Sequence, residues 1–138
     1  MIGIIVAAHG QLATELIATA ELIVGELPNI TGCNINPTLS PLGMEEELER
    51  AVARVEQGDG VVILADLLGG TPCTRSMALC QKVRVEVVTG VNLPMVLKAH
   101  SLRKNHSLRE LARQLVDSVR GSIRWVSDSE RGQLDLPR

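Results

Sequence analysis

The sequence is nearly devoid of aromatic side chains: it has no phenylalanine, no tyrosine and one tryptophan among 138 residues. Proteins that bind single-stranded nucleic acid stack bases on aromatic side chains, and RNA-recognition sheets need paired aromatics, so both classes are excluded. Immunoglobulin-like sandwiches are disfavoured because they carry a corner tyrosine. Hydrophobic residues still make up 45% of the chain. The core must therefore be aliphatic, as is typical of parallel sheets covered by helices.

The chain also has little net charge and few cysteines. Fourteen Lys and Arg residues face sixteen Asp and Glu residues, which leaves a formal net charge of −2. This balance gives no general attraction to nucleic acid or to anionic membranes. The cysteines, Cys33, Cys73 and Cys80, are odd in number and widely spaced. That pattern argues against a disulfide framework and against a zinc site, and it indicates free thiols in a reducing cytosol.

Long apolar runs are missing as well. No stretch approaches the roughly 20 residues of a membrane-spanning helix, and the apolar N-terminal run is too short for a signal peptide. We therefore predict a soluble cytoplasmic protein. The length fits one domain, which we place at residues 1–127, followed by a short C-terminal tail at 128–138.

Four short aliphatic runs predict β-strands at residues 2–7, 30–35, 60–65 and 83–89. The first and third are almost wholly apolar, as in central strands that are buried on both faces. In the fourth run, Arg84 and Glu86 alternate with valines, which predicts a strand near an edge of the sheet. Residues 122–126 are a candidate for a fifth strand.

Apolar residues at helical spacing lie between and after these runs. We predict that the first helix ends at Gly25, and that the third begins at Thr71, an N-cap followed by proline, and runs to about residue 82. Pro94 starts a short helix, and Ser107 with Glu110 forms a capping box that opens the last one. The faces expected to be buried are Leu12, Leu16, Ala20, Ile23 and Val24; Met44, Leu48, Ala51, Val52 and Val55; and Leu108, Leu111, Leu115, Val116 and Val119.

Strands that alternate with helices imply a parallel sheet with right-handed crossovers, so the predicted fold class is α/β. For a chain of this length we predict a doubly wound open sheet of strand order 2-1-3-4. Ligands of such sheets bind at the carboxyl ends of the strands where the order reverses, which here is between strands 1 and 3. The site should therefore be built from the loops that follow these two strands.

Those two loops carry a coherent set of chemical groups. His9 follows the first strand and Asp66 follows the third, so a histidine nucleophile lies opposite a carboxylate that can fix its tautomer. Gly69 and Gly70 allow the backbone to approach an anion closely, and the helix beginning at Thr71 offers backbone N–H groups and a positive dipole end. Together these residues predict a phosphohistidine site, with no metal and no cofactor required.

A basic stretch lies outside this set. It contains Lys98, His100, Arg103, Lys104, His106, Arg109 and Arg113. We interpret these side chains as a solvated surface, with contact to a partner protein as the alternative.

The chain resembles the enzyme IIA components of the mannose-type phosphotransferase system, which serve mannose, fructose, sorbose and N-acetylgalactosamine transporters. The matching segments are IIVAAHGQLA at 4–13, VVILADLLGGTP at 61–72 and VVTGVNLPM at 87–95. The similarity runs over about residues 1–126. Three such motifs in the same order are more specific than any one of them. Cys73 and Leu68 depart from relatives that have aromatic residues at these positions.

The resemblance implies a phosphotransferase that acts as a phosphoryl carrier in sugar uptake. His9 would accept phosphate on Nε2 from the phosphocarrier protein HPr and pass it to a IIB component, expected to be a separate polypeptide. Asp66 would hold the other ring nitrogen of His9. The positions expected to bind the phosphoryl group are Thr71, Gly10, Gly69 and Gly70.

The resemblance also implies a homodimer in which a C-terminal strand is exchanged between subunits. Residues 122–126 are the candidate for that strand, and Trp125 within it is expected to be an interface or core anchor. Contact with the membrane would be indirect, through IIC and IID components, and no nucleic-acid partner is expected.

Three other interpretations remain open at this point. A signalling receiver domain shares the sheet topology and would use Asp66, but it needs an acidic pair after strand 1, where Ala8 and His9 stand. A dihydroxyacetone-kinase phosphoryl-donor subunit has a similar domain, although its histidine is usually followed by serine rather than by glycine. A regulatory module could keep the fold and bind partners without transferring phosphate.

Overall fold

The computed structural model describes residues 1–67, 71–80 and 84–128. The strands are β1 (Gly3–His9), β2 (Ile30–Ile35), β3 (Val61–Ala65) and β4 (Val85–Thr89). The helices are α1 (Leu12–Val24), α2 (Pro41–Val55), α3 (Thr71–Leu79), α4 (Leu93–Leu102) and α5 (Leu108–Arg120). Strands and helices alternate until β4, after which the two helices α4 and α5 follow one another.

The strands form one parallel sheet of order β2-β1-β3-β4, which confirms the predicted topology. The strands β1 and β3 are central and are buried along almost their whole length, whereas β4 lies at an edge, as predicted. The last pair in register between β1 and β3 is Ala7 with Ala65. The carboxyl ends of β1 and β3 are therefore side by side, where the strand order reverses.

Helices cover both faces of the sheet, and each face has its own aliphatic core. On one face, α1, α4 and α5 pack on alternate residues of β1 that include Ile4, Val6 and Ala8. On the other face, α2 packs on the remaining alternate residues, Ile5 and Ala7. Because successive strand residues point to opposite faces, a central strand covered on both sides must be apolar throughout.

The predicted face of α2 is confirmed, and that of α5 is confirmed except that Val116 is only partly buried. The predicted face of α1 is wrong in part. Ala13 and Ala20 are the buried residues of α1, while Leu12, Ile23 and Val24 are exposed. The reason is close packing of α1 on the sheet at Gly32 of β2. Ala13 Cβ and Ile17 Cδ1 both lie 3.4 Å from where a Cβ of Gly32 would be, so α1 faces β2 through these two residues. Leu16 and Ile17 are partly buried against the same core.

Most helix ends lie where the sequence predicted them. The predicted Ser107–Glu110 capping box is present. No start was predicted for α2, whose N-cap Ser40 accepts a hydrogen bond from the Gly43 N–H. Gly25 follows α1 with a φ of 87°, a conformation that favours glycine. The helix α3 ends at Leu79, before the predicted end, and residues 81–83 are outside the described part.

The C-terminal segment does not form a strand within the single chain. Residues 122–128 have turns and irregular backbone, and the side chain of Trp125 is exposed. Trp125 is therefore not a core anchor of its own subunit. The exchange of this segment between subunits stays a prediction, and the tail prediction falls almost wholly on residues 129–138, outside the described residues.

The interpretation of the basic stretch as solvated is wrong for Arg103, which is 3% exposed. Its guanidinium donates hydrogen bonds to the backbone carbonyls of Ile2, Pro28 and Asn29. These carbonyls lie at the end of the sheet opposite His9. Burial lowers the pKa of Arg103 from its ordinary value. This arginine thus joins the end of α4 to the start of β1 and to the loop before β2.

No helix within the described residues has the length and apolar character needed to cross a bilayer.

Candidate functional site

The structure brings the side chains of His9 and Asp66 together at the carboxyl ends of the two central strands. His9 is the last residue of β1, and Asp66 directly follows β3. Asp66 Oδ2 lies 2.8 Å from His9 Nδ1 and accepts a second hydrogen bond, of 2.9 Å, from the His9 backbone N–H. The side chain of His9 is 49% exposed, whereas that of Asp66 is 11% exposed. A largely buried carboxylate thus holds an accessible imidazole.

The contact fixes the tautomer of His9. Desolvation of Asp66 favours its neutral form, but the hydrogen bonds from the backbone and ring of His9 outweigh this effect and hold the pKa of the carboxyl below its usual range. An ionised carboxylate can only accept hydrogen bonds, so Nδ1 must carry the proton. Neutral His9 therefore has its lone pair on Nε2, which is the nitrogen that can act as a nucleophile.

A glycine turn follows the histidine. Gly10 has a φ of +61°, in the left-handed region, and no described atom lies within 4 Å of where a Cβ would be. The glycine is therefore needed for the conformation of the backbone and not for space. This turn leads directly into α1, whose N-cap residue is Gln11.

Sequence reasoning missed a polar cluster beside this turn. Asn34, near the end of β2, donates through Nδ2 to Thr14 Oγ1 at 2.6 Å and to Gln11 Oε1 at 3.4 Å. Its Oδ1 accepts from the Thr14 backbone N–H at 3.4 Å. The sequence does carry a signal for this cluster. Ile30, Gly32 and Asn34 are alternate residues of β2 and face α1, and Asn34 is the only one of the three with a polar side chain.

The predicted phosphate-binding residues are described only in part. Gly69 and Gly70 are outside the described residues, and Thr71 is placed as the first residue of α3. The N-terminus of α3 thus begins five positions after Asp66 in the chain. Backbone N–H groups and the helix dipole favour anions at such an end.

Within residues 1–67, 71–80 and 84–128, no group of three or more His, Cys, Asp or Glu side chains is placed to hold a metal ion. The other two histidines are remote from His9 in the fold. His100 lies in α4 next to Arg103, and His106 donates from Nδ1 to the Leu102 carbonyl at 2.8 Å.

Comparison with known proteins agrees with the fold and with the motifs. The family model described as the fructose IIA component of the phosphotransferase system (PTS) matches residues 3–116. The PTS mannose-specific EIIAB component of Escherichia coli (strain K12) is 30% identical over 125 residues, which are 89% of this chain. The chain spans only 39% of the length of that protein.

Two further relatives match over most of both chains. The PTS fructose-specific EIIA component of Bacillus subtilis (strain 168) is 28% identical over 93% of this chain and 88% of its own length. The crystal structure of the phosphotransferase system component EIIA from Streptococcus agalactiae superposes with a TM-score of 0.85 at 30% identity. That superposition covers 93% of this chain and 99% of the other.

Proposed function

This chain belongs to the IIA components of the mannose-type sugar phosphotransferase system, and from that premise we propose that His9 carries the phosphoryl group. In this proposal His9 accepts phosphate from phospho-HPr and passes it to a IIB component for sugar uptake. The observation that carries it is the pairing of His9 Nδ1 with Asp66 Oδ2 at 2.8 Å.

The pairing suits each stage of the transfer. The Nε2 lone pair attacks the phosphorus atom of the donor phosphohistidine, the new N–P bond forms and the old N–P bond breaks, so the donor imidazole leaves with the electron pair. No proton has to leave His9, since Nε2 is unprotonated and Nδ1 keeps its hydrogen. The phosphorylated ring carries positive charge, which the Asp66 carboxylate stabilises through the Nδ1–H bond. Transfer to IIB reverses these steps.

The transferred phosphoryl group is an anion in a loose transition state, so it needs positioning and electrostatic stabilisation more than covalent help. We assign this role to the N-terminus of α3, with Thr71 as hydrogen-bond donor and with Gly69 and Gly70 allowing close backbone approach. Gly10 contributes by the turn that directs the chain away from His9.

The proposed partners are proteins. HPr and a IIB component would dock in turn at the exposed His9, and a second copy of this chain would exchange residues 122–126. IIC and IID components would link the system to the membrane, and the chain itself would act in the cytoplasm.

The test uses the two other histidines of the chain, His100 and His106, as controls for His9. The full chain is incubated with phosphoenolpyruvate, enzyme I and HPr, and intact mass is measured for wild type, His9→Gln, His100→Gln and His106→Gln. We expect wild type, His100→Gln and His106→Gln each to gain one base-stable, acid-labile phosphoryl group, and His9→Gln to gain none. Equal labelling of His9→Gln and wild type would overturn the assignment.

Two outcomes would favour the other interpretations. A magnesium-dependent, base-labile label on Asp66 would indicate receiver-type chemistry. Absence of any label, in a chain that still binds HPr or IIB, would indicate a regulatory module that does not transfer phosphate.

A further inference from the structure

The strand β2 presents every second residue to α1. Ile30 packs in the core on that face, and Gly32 lies so close to the helix that a Cβ there would be 3.4 Å from Ala13 Cβ. Asn34 is the next residue on this face, since Cys33 and Ile35 belong to the opposite core. Asn34 pairs in register with Ala8, one residue before His9.

The orientation of the Asn34 amide follows from its partners. The Thr14 backbone N–H can only donate, so the amide atom that faces it must be the oxygen. The amide nitrogen is then directed at Thr14 Oγ1, 2.6 Å away, and at Gln11 Oε1, 3.4 Å away. One side chain thus holds both ends of the first turn of α1.

This contact replaces a cap that α1 does not supply itself. The N-cap residue Gln11 makes no side-chain capping bond, although a helix N-terminus leaves several backbone N–H groups without partners. An N-cap side chain normally accepts from the second or third N–H of the helix. Asn34 supplies that acceptor for Thr14 from the neighbouring strand.

We propose that Asn34 is a positioning residue for phosphoryl transfer at His9. The segment from His9 to Thr14 is held on one side by Asp66, through the His9 backbone and ring, and on the other side by Asn34. Between these two anchors lies Gly10, at φ +61°, around which the backbone can pivot. Without the hydrogen bonds of Asn34, the first turn of α1 is no longer fixed in position relative to the ring of His9.

This inference rests on the proposed function, because it concerns the rate of transfer at His9. In-line transfer depends on the alignment of Nε2 with the donor phosphorus, and a displacement of about 1 Å can cost on the order of 100-fold in rate. A residue that only anchors the loop acts on the transfer step and not on the docking of HPr.

The test compares Asn34→Ala with Thr14→Val, which removes the hydroxyl partner while keeping the side-chain shape, and with Thr14→Ser, which keeps the hydroxyl. Asn36→Ala is the matched control, because Asn36 lies just beyond β2 and its side chain, among the described residues, accepts hydrogen bonds only from Thr38, at 2.9 and 2.8 Å. The assay measures kcat and KM with phospho-HPr as the varied donor. The ¹⁵N chemical shifts of the His9 ring give a second readout, independent of transfer.

We expect Asn34→Ala and Thr14→Val each to lower kcat by roughly tenfold with little change in KM. The double variant should be no slower than Asn34→Ala, because the hydrogen bond that Thr14→Val removes is one of those already lost in Asn34→Ala. Thr14→Ser and Asn36→Ala should keep the wild-type kcat. Wild-type kcat in Thr14→Val would overturn the proposal, and this arm decides it even where Asn34→Ala fails to fold. Where Asn34→Ala folds, fully additive losses in the double variant would overturn the proposal as well.

The two proposals can fail separately. If His9→Gln is labelled as well as wild type, the proposed function fails, and the ring shifts alone then test the anchor. In that case Asn34→Ala must still change the His9 tautomer population or broaden its ring signals, whereas unchanged shifts would overturn the positioning role.

Discussion

A single oxygen atom of Asp66, Oδ2, accepts hydrogen bonds from both the backbone N–H and the ring Nδ1 of His9, at 2.9 and 2.8 Å. The carboxylate therefore restrains the ring torsions of His9 as well as its tautomer. The parallel register brings this about, because the last β1–β3 pair, Ala7 with Ala65, precedes His9 by two residues and Asp66 by one.

The first prediction concerns the negative charge of Asp66. Asp66→Asn keeps the size of the side chain but loses the negative charge that stabilises the phosphorylated ring. We expect the rate of transfer from phospho-HPr to fall by about 100-fold or more, as measured by rapid-quench single turnovers. Asp59→Asn, an exposed aspartate at the far end of the sheet, serves as the control. Transfer at the wild-type rate in Asp66→Asn would contradict the mechanism.

The second prediction is a pH dependence of stability. Burial works against the ionised form of Asp66, but the hydrogen bonds from His9 prevail and the pKa in the folded state is lowered. The unfolded state then binds the proton more tightly, so the carboxylate stabilises the fold above about pH 4 and this contribution is lost as the pH falls through the folded pKa. Urea unfolding of wild type and Asp66→Asn should therefore converge below about pH 4. A stability difference that stays constant or widens on acidification would be the opposite result.

The third prediction concerns the buried cation. Arg103→Met removes the donors for the carbonyls of Ile2, Pro28 and Asn29 and leaves them without these partners. We expect a loss of about 2–5 kcal/mol in the free energy of unfolding, measured by urea titration. Lys104→Met, at the exposed neighbouring position, should change stability by less than about 0.5 kcal/mol. Equal effects of the two substitutions would show that Arg103 acts only as a surface charge.

The fourth prediction compares two glycines in neighbouring strands. A Cβ at Gly3 would lie 2.5 Å from the Val55 carbonyl oxygen, which belongs to the backbone of α2 and cannot move alone. At Gly32 the nearest atoms would be 3.4 Å away, which is ordinary contact. Gly3→Ala should thus destabilise the protein by about 1–3 kcal/mol, and Gly32→Ala by much less. Thermal unfolding of the two variants measures the difference, and the reverse order would contradict it.

The fifth prediction uses the tryptophan as a reporter. Trp125 is 74% exposed in the single chain, within the segment that we expect a second subunit to take up. Dilution that dissociates the dimer should shift its emission to longer wavelength, because the indole then enters water. Analytical ultracentrifugation over the same concentrations gives the oligomeric state. Emission that stays constant while the dimer dissociates would exclude this segment from the interface.

Much of the fold was readable from local patterns. The unbroken aliphatic runs of β1 and β3 identified central strands, and the alternating charges of Arg84 and Glu86 identified an edge. The apolar spacing of α5 and its Ser107–Glu110 box predicted that helix and its buried face. These signals are local, since helix period, capping and strand burial depend on residues only a few positions apart.

The face of α1 was misread for a reason that lies outside the helix. The apolar residues of α1 cover so much of its surface that the sequence alone does not select one face. The packing of the helix on β2 selects it, where Ala13 and Ile17 contact the strand at Gly32. Arg103 was misread in the same way, because its acceptors are carbonyls 74 to 101 positions away in the chain.

The sequence by itself determined the order of the strands and helices, the aliphatic core and the presence of His9 and Asp66 at the ends of two strands. Tertiary structure alone decided that one carboxylate oxygen holds both the ring and the backbone of His9, that Asn34 caps α1 from the neighbouring strand, and that Arg103 is buried. The physical reason is that each of these contacts joins residues distant in the chain, and their distances are fixed only when the sheet register and the packing of the helices are both in place.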